Sequence, residues 1–452
     1  MELEHDAELA AIVVEKAAEH RTPGLGVGVL YGGRTFVATH GVTSTADPLE
    51  VDADTLFMIG STTKTLTATA LMHLVDEGRL ALTDLVVDHL PDFEAPDIET
   101  TKSVTIGQLL NHTAGWRGDV LPSASFADTA LAEAVQLVAE GPQEVPAGRY
   151  ASYNNAALMV AGRVLEVLTG QSYEKAVTEL VLTPLGLTNT FFLPWEVANR
   201  RLAVGHILRP DVEEAVPLWP ISRGLGPAGA AISSLRDQLT YARYHLDGTA
   251  EAPPLSEKTR LLMQQPTSEM RSILVGVGIT WLLSDYGGVR LVSHGGNVSN
   301  LQTSAFHLAP ECGFGLVVMS NSAGGAAAGR DLLAWCLEHF AKLPPRSPLP
   351  QLELTDALIR EYAGIYDLGP WTIAIETDAG KLTVRMVLPD DVPETLKTLF
   401  DKPPAEMVLV GPDQLAPAAD PVEATMDFIR AADGSVKWVR HGMRLAPRKD
   451  GS

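Results

Sequence analysis

The 452-residue chain has little cysteine and little positive charge. Its two cysteines are Cys312, in an expected hairpin turn, and Cys336, in an expected helix. Nothing in that placement motivates a disulfide, and two inert thiols in a reduced compartment are expected. Lysine and arginine total 34 against 56 aspartate and glutamate, for a formal net charge of -22. So acidic a surface repels phosphate backbones and anionic lipid, which argues against nucleic acid or a membrane surface as partner. No run of 18 uninterrupted apolar residues occurs, so no membrane span is expected. The start, Met1-Glu2-Leu3-Glu4-His5-Asp6, lacks the basic and apolar regions of a signal peptide. If Met1 is the native start, a cytoplasmic location follows. Without His-Glu-x-x-His or Cys-x-x-Cys, neither zinc nor any other metal or cofactor is expected. No Gly-x-Ser-x-Gly or Walker-type loop frames a serine or lysine, which argues against an α/β-hydrolase or a nucleotide enzyme.

What is present is an ordinary globular composition, 46% hydrophobic and 20% charged, with ample material for a large core. The length calls for at least two domains. The chain is organised around the stretch Leu56 to Ala68, where an apolar run reaches Gly60 and a tetrad Ser61-Thr62-Thr63-Lys64 opens a helix. Residues three apart on a helix are neighbours, so the Lys64 amine can reach the Ser61 hydroxyl. A serine is a poor nucleophile until a base takes its proton, and an adjacent amine can supply that base. The Ser61 N–H also sits among the free donors of a helix start, where an oxyanion is stabilised. Alone the tetrad is weak: an N-cap serine with a solvated lysine explains it equally well. A second copy, Ser172-Tyr173-Glu174-Lys175, reads as the capped start of another helix.

In chain order, residues 6–20 read as an amphipathic helix, followed by strands Leu25 to Leu30 and Thr35 to Thr39. Helices are expected over Leu66 to Glu77, Leu131 to Ala139, Ala156 to Leu168, Tyr173 to Val181 and Ser233 to His245. The section 190 to 230 reads as loop-rich, with Pro194, Pro210, Pro217, Pro220 and Pro227. Strands return at Val275 to Ser284, Val289 to Ser293, Leu301 to Leu308 and Phe314 to Ser320, as two antiparallel hairpins, before a helix Gly329 to Phe340. The expected fold is α+β: an antiparallel sheet of early and late strands, flanked by helices, with a helical insert. Domain 1 spans residues 1–342, and residues 343–354 form a stiff Pro-rich linker. Residues 355–452 form a small antiparallel β-barrel.

Two further groups carry chemistry. Tyr153-Asn154-Asn155 opens a helix. An ammonium beside the Tyr153 phenol would push it toward phenolate, letting it shuttle a proton. The Asn155 amide can hold Lys64 or a substrate amide. His294-Gly295-Gly296-Asn297 ends a strand. Its paired glycines let a substrate backbone lie against the strand edge, and the following N–H can supply a second oxyanion donor.

These residues resemble the serine β-lactamase and penicillin-binding family on its class C-like side, which includes D-aminopeptidases, carboxypeptidases and esterases. The resemblance covers about residues 8 to 340, including Leu109-Leu110-Asn111-His112-Thr113-Ala114-Gly115 and Gly226-Pro227-Ala228-Gly229-Ala230. It implies a β-lactamase/transpeptidase-like fold and, for the tail, a lipocalin-like barrel. It also implies that Ser61 is the acylated nucleophile, with Lys64 and Tyr153 as acid–base pair. The N–H groups of Ser61 and Asn297 would then form the oxyanion hole, and Asn155 would be the second-motif amide. One departure stands out: the family's usual Lys-Thr-Gly is absent, and His294-Gly295-Gly296 takes its place. A histidine is largely neutral near pH 7, which disfavours binding of a β-lactam carboxylate. His294 can also be read as a structural histidine satisfied at a strand end. His112 and Trp116 read as core or loop anchors. Asp119 reads as a solvated loop carboxylate, with a grip on a substrate amine as the alternative.

The resulting expectation is a serine acyl hydrolase acting on short peptides or amides, including those with D-residues. Esters come second and β-lactams third. The rival from another class is a non-catalytic sensor of an acyl ligand. Assembly into a homo-oligomer stays open. The barrel is expected to project a loop into the cleft and limit substrate size, so that truncation beyond about residue 345 would leave Ser61 reactive.

Overall fold

Strands from both ends of the first 340 residues meet in one eight-stranded antiparallel sheet in the computed structural model, which describes residues 3–4, 6–209, 212–369, 371–389 and 403–449. Met1, Glu2 and His5 of the N-terminal reading, and Pro210 of the loop-rich section, lie outside the described residues. The sheet runs in the order Arg34–Gly41, Gly24–Tyr31, Phe314–Ser320, Gln302–Ala309, Val289–Val298, Leu282–Tyr286, Gly276–Val277, Ser268–Glu269. Alternate residues divide its faces. Val27, Val29, Leu316 and Val318 pack on the helices Ala7–Glu19 and Gly325–His339. Leu30, Val317 and Met319 join the larger core with helix Leu235–Asp247. Gly28 permits that helix to lie close, since a Cβ there would stand 2.5 Å from Leu239.

The helical part between the early and late strands is built around Thr63–Asp76, a helix buried almost all round. Its threonine hydroxyls find partners within that core. Thr67 Oγ1 bonds to the Thr63 and Pro227 carbonyls and to the Tyr173 hydroxyl, and Thr69 Oγ1 to the Thr65 carbonyl and the Tyr241 hydroxyl. Such bonding satisfies groups that would otherwise be costly to bury.

The expected strand Val275 to Ser284 is broken. Thr280 takes φ +61°, and the N–H groups of Ile279 and Thr280 donate to the carbonyls of Met263 and Leu110 rather than to a ladder. The section 190 to 230 holds a hairpin, Gly205–Arg209 with Val212–Val216, that its prolines concealed. Ser172 stands at an N-cap, but its side chain makes no capping bond.

Beyond residue 350 a second eight-stranded antiparallel sheet, with its own core around Tyr366, Leu415 and Val439, curls until Tyr366 bridges Arg448. This nearly closed barrel contains three strands of four residues each, Gly364–Asp367, Gln414–Pro417 and Arg444–Pro447, too short to show a period of two. The Pro-rich segment before it is laid onto its surroundings: Arg346 pairs with Glu423, and Leu349 N–H donates to the Pro421 carbonyl. Among the described residues, no helix is long and apolar enough to cross a membrane.

Candidate active site

Ser61 sits in a tight turn, Gly60–Thr62, between the short strand Leu56–Met58 and the buried helix Thr63–Asp76. The turn is pinned to the large sheet. Ser304 Oγ donates to the Ile59 carbonyl at 2.8 Å, and the Gln302 amide oxygen accepts from Met58 N–H at 2.9 Å. Thr63 Oγ1 donates to the Gly60 carbonyl and accepts from Ala231 N–H. One turn on, Lys64 is fully buried, its Nζ 3.0 Å from Ser61 Oγ and donating to the Ala228 carbonyl at 2.6 Å. Burial, and then the positive charge of Arg444, drive the Lys64 amine well below its ordinary range.

Tyr153 closes the third side. Asn154 caps the helix Asn155–Thr169, accepting from Ala157 N–H at 2.7 Å and donating to the Trp116 carbonyl at 2.8 Å. Tyr153 therefore projects from just ahead of a fixed helix start, with its phenol facing Ser61. Lys64 Nζ lies 4.8 Å from the Tyr153 ring centroid. The expectation of a phenolate is overturned: burial raises the phenol well above its ordinary value, and the neighbouring Ser61 only partly offsets this. Lysine and tyrosine are thus both favoured in their neutral forms.

The glycine strand arrives from the other side. Val289–Val298 pairs with Leu282–Tyr286 only as far as Ser293, so His294 to Asn297 leave an open edge. A Cβ on Gly60 would come within 2.9 Å of Asn297 N, which measures how closely the two backbones meet. His294 is buried, with Nδ1 2.8 Å from the Gly295 carbonyl and Nε2 without a partner. Burial pushes it down to about 3, so it is neutral at physiological pH. His112 is an anchor, as expected: its Nδ1 accepts from Asn154 N–H, and its ring packs 4.6 Å from that of Tyr153.

Two assignments change. Asn155 donates its amide to Asp119 Oδ1 at 2.7 Å rather than to Lys64. Asp119 is not a solvated loop carboxylate; only 12% of its side chain is exposed, and it takes a two-pronged bond from Arg444, Nε to Oδ2 at 2.6 Å and Nη2 to Oδ1 at 3.1 Å. Although burial opposes ionisation, Arg444 and Asn155 hold Asp119 below the usual carboxylate range. Arg444 comes from the barrel, and its guanidinium lies 4.9 Å from the Tyr153 ring centroid. Around it the barrel grips the tyrosine segment: Tyr153 N–H donates to the Met443 carbonyl, Leu445 N–H to Ser152 Oγ, and Arg440 to the Ala151 carbonyl. Sequence reading missed this arginine because nothing local to residue 444 signals a contact 325 residues away.

A group of residues able to hold a metal lies elsewhere. Glu19, His20 and Asp331 bring three ligand atoms within 4.8 Å, but the Lys16 ammonium already lies 2.6 Å from Glu19 and 3.8 Å from Asp331.

Known proteins resemble this chain in sequence and in fold. A family model described as Beta-lactamase matches residues 9–337. "Penicillin-binding protein 4" of Amycolatopsis lactamdurans is 34% identical over 350 residues, 74% of this chain and 91% of that protein. The crystal structure of SurE superposes with a TM-score of 0.77 at 25% identity, covering 98% of each chain, barrel included. A D-amino acid amidase from Ochrobactrum anthropi SV3 shares the fold over 72% of this chain and 96% of its own, with a TM-score of 0.61 at 23% identity. The chain belongs to the serine β-lactamase and penicillin-binding family, as a serine hydrolase.

Proposed function

We propose that the protein is an acyl hydrolase working through an ester on Ser61, and that its substrates are small amides or short peptides, D-configured ones among them. The observation that carries this reading is the convergence on one hydroxyl: Lys64 Nζ stands 3.0 Å from Ser61 Oγ and 4.8 Å from the ring centroid of Tyr153, whose phenol faces the same serine. As Ser61 Oγ bonds to the acyl carbon, its proton passes to the Lys64 lone pair. When the carbon–nitrogen bond breaks, that proton returns to the leaving amine through Tyr153. Water then repeats the sequence in reverse and frees Ser61. The N–H groups of Ser61 and Asn297 serve as oxyanion donors. His294, Gly295 and Gly296 form the edge along which the substrate lies, and Asn155 orients Asp119 at the mouth.

A neutral His294 favours amides over β-lactams, which need a cation for their carboxylate. The barrel turn, seated beside Tyr153, favours small acyl groups. This reading divides the chain into residues 1–342, a linker 343–354, and the barrel 355–452, with the barrel part of the site. Labelling with a fluorophosphonate, against a Ser61→Ala control, tests the ester. A panel of D- and L-aminoacyl amides, short-chain esters and a chromogenic cephalosporin tests the substrate class. Ser61-dependent labelling with turnover of the amides is expected; a protein that binds acyl ligands without any adduct on Ser61 would refute the reading.

A further inference from the structure

Four titratable or charged side chains, His112, Asp119, His294 and Arg444, face Tyr153 and Lys64, which also face each other. Burial keeps both histidines neutral. The carboxylate and the guanidinium remain charged, and the guanidinium is the one drawn over the phenol ring, fixed there by its fork on Asp119. It is supplied by the barrel, while the hydroxyl, amine and phenol all belong to the first 160 residues.

We propose that Arg444 is the positioning charge of the centre: from the barrel hairpin it adds to burial in keeping Lys64 an uncharged amine able to take the Ser61 proton, so that the docked barrel tunes activation of the serine. This rests on the reading of Ser61 and Lys64 given above. A lysine crowded by a second cation loses its proton more readily, which is a general route to a basic amine at neutral pH. Lys64 Nζ and the Arg444 guanidinium stand 4.8 and 4.9 Å from the same ring centroid, so they are at most about 10 Å apart. At that distance and an effective dielectric of about 20, their repulsion displaces the amine's protonation by about one pH unit. Asp119 pulls in the opposite direction, so an arginine removed alone leaves a carboxylate that displaces it further.

The test is a direct titration of Lys64 by NMR in lysine-13Cε-labelled full-length protein, together with the pH profile of acylation by an activated ester. With Arg444→Gln, the Lys64 titration and the acidic limb of the profile should both move up by about one unit or more, a roughly tenfold loss of rate below the limb that higher pH restores. Arg444→Lys should bring both back toward wild type. Arg444→Gln with Asp119→Asn, which removes the pair and leaves the net charge unchanged, should lie between. A Lys64 titration that stays put in Arg444→Gln overturns the proposal, as does a change in KM alone with an unmoved limb, which would make Arg444 a substrate contact. If wild-type protein forms no Ser61 adduct, the functional reading fails, and the NMR titration still decides the role of Arg444.

Discussion

Gly296→Ala tests the closeness of the two backbones beside Ser61. A Cβ at 296 would stand 1.9 Å from the Ile59 carbonyl oxygen and 2.6 Å from Ser304 Oγ. The carbonyl cannot swing aside like a side-chain tip, because it already accepts from Ser304 Oγ and leads directly into the Ser61 turn. Ordinary contact therefore requires the glycine strand and the turn to part by roughly 1.5 Å. Oxyanion donors act only within about 2.7–3.1 Å of the developing charge, so this separation should remove one of the two. The expected loss is about 10²–10³-fold in acylation rate, or about 2.7–4 kcal/mol, alongside about 1–3 kcal/mol of stability from overpacking. Gly329→Ala, in the helix Gly325–His339 away from the site, is the internal control: its Cβ would meet Ala305 Cβ at an ordinary 3.5 Å. Burst kinetics with an activated ester, with urea unfolding run in parallel, separate the two effects. A folded Gly296→Ala protein that acylates at the wild-type rate would refute the reasoning, and so would a Gly329→Ala protein equally impaired.

Removing residues beyond about 345 should abolish or severely slow Ser61 labelling, contrary to the sequence expectation, because Tyr153 N–H is held by Met443; persistent labelling at the wild-type rate would count against it. Asp427→Ala strands the buried Arg440, both being 4% exposed, and should cost about 3–5 kcal/mol in urea unfolding of the barrel. Burial raises Asp237 to about 6, so the folded state binds an extra proton between the unfolded value and 6. Stability should therefore fall as pH rises through that window, and Asp237→Asn, whose amide oxygen can keep the bonds from Asn189 and Thr190, should flatten the fall in thermal melts. Asn154→Ala removes the cap of the helix behind Tyr153 and should cost about 1 kcal/mol or more.

The site was legible where chemistry is written in short spacings. Ser61 and Lys64 are three residues apart, and His294 to Asn297 are contiguous. Tyr153 could be joined to them only through the family resemblance, because its partners lie about 90 residues away. The protonation states were not legible. An isolated Lys–Tyr pair argues for phenolate, whereas the fold buries both groups, and the cost of desolvating a charge outweighs their mutual attraction. Asp119 was misread for a related reason: loop carboxylates are solvated on average, and its partner arrives from another part of the chain. Broken and four-residue strands escaped because a period of two needs several residues to show, and at Ile279 and Thr280 tertiary bonds outcompete the ladder.

The Ser61 turn leaves the ribosome about 380 residues ahead of the Met443 carbonyl that holds Tyr153. On the assignment proposed here, a nascent chain carries its serine in a harmless state until the barrel has been made. Reactivity would switch on only after the hairpin around Met443 has folded and seated, which protects partly made protein from acylating itself or its neighbours.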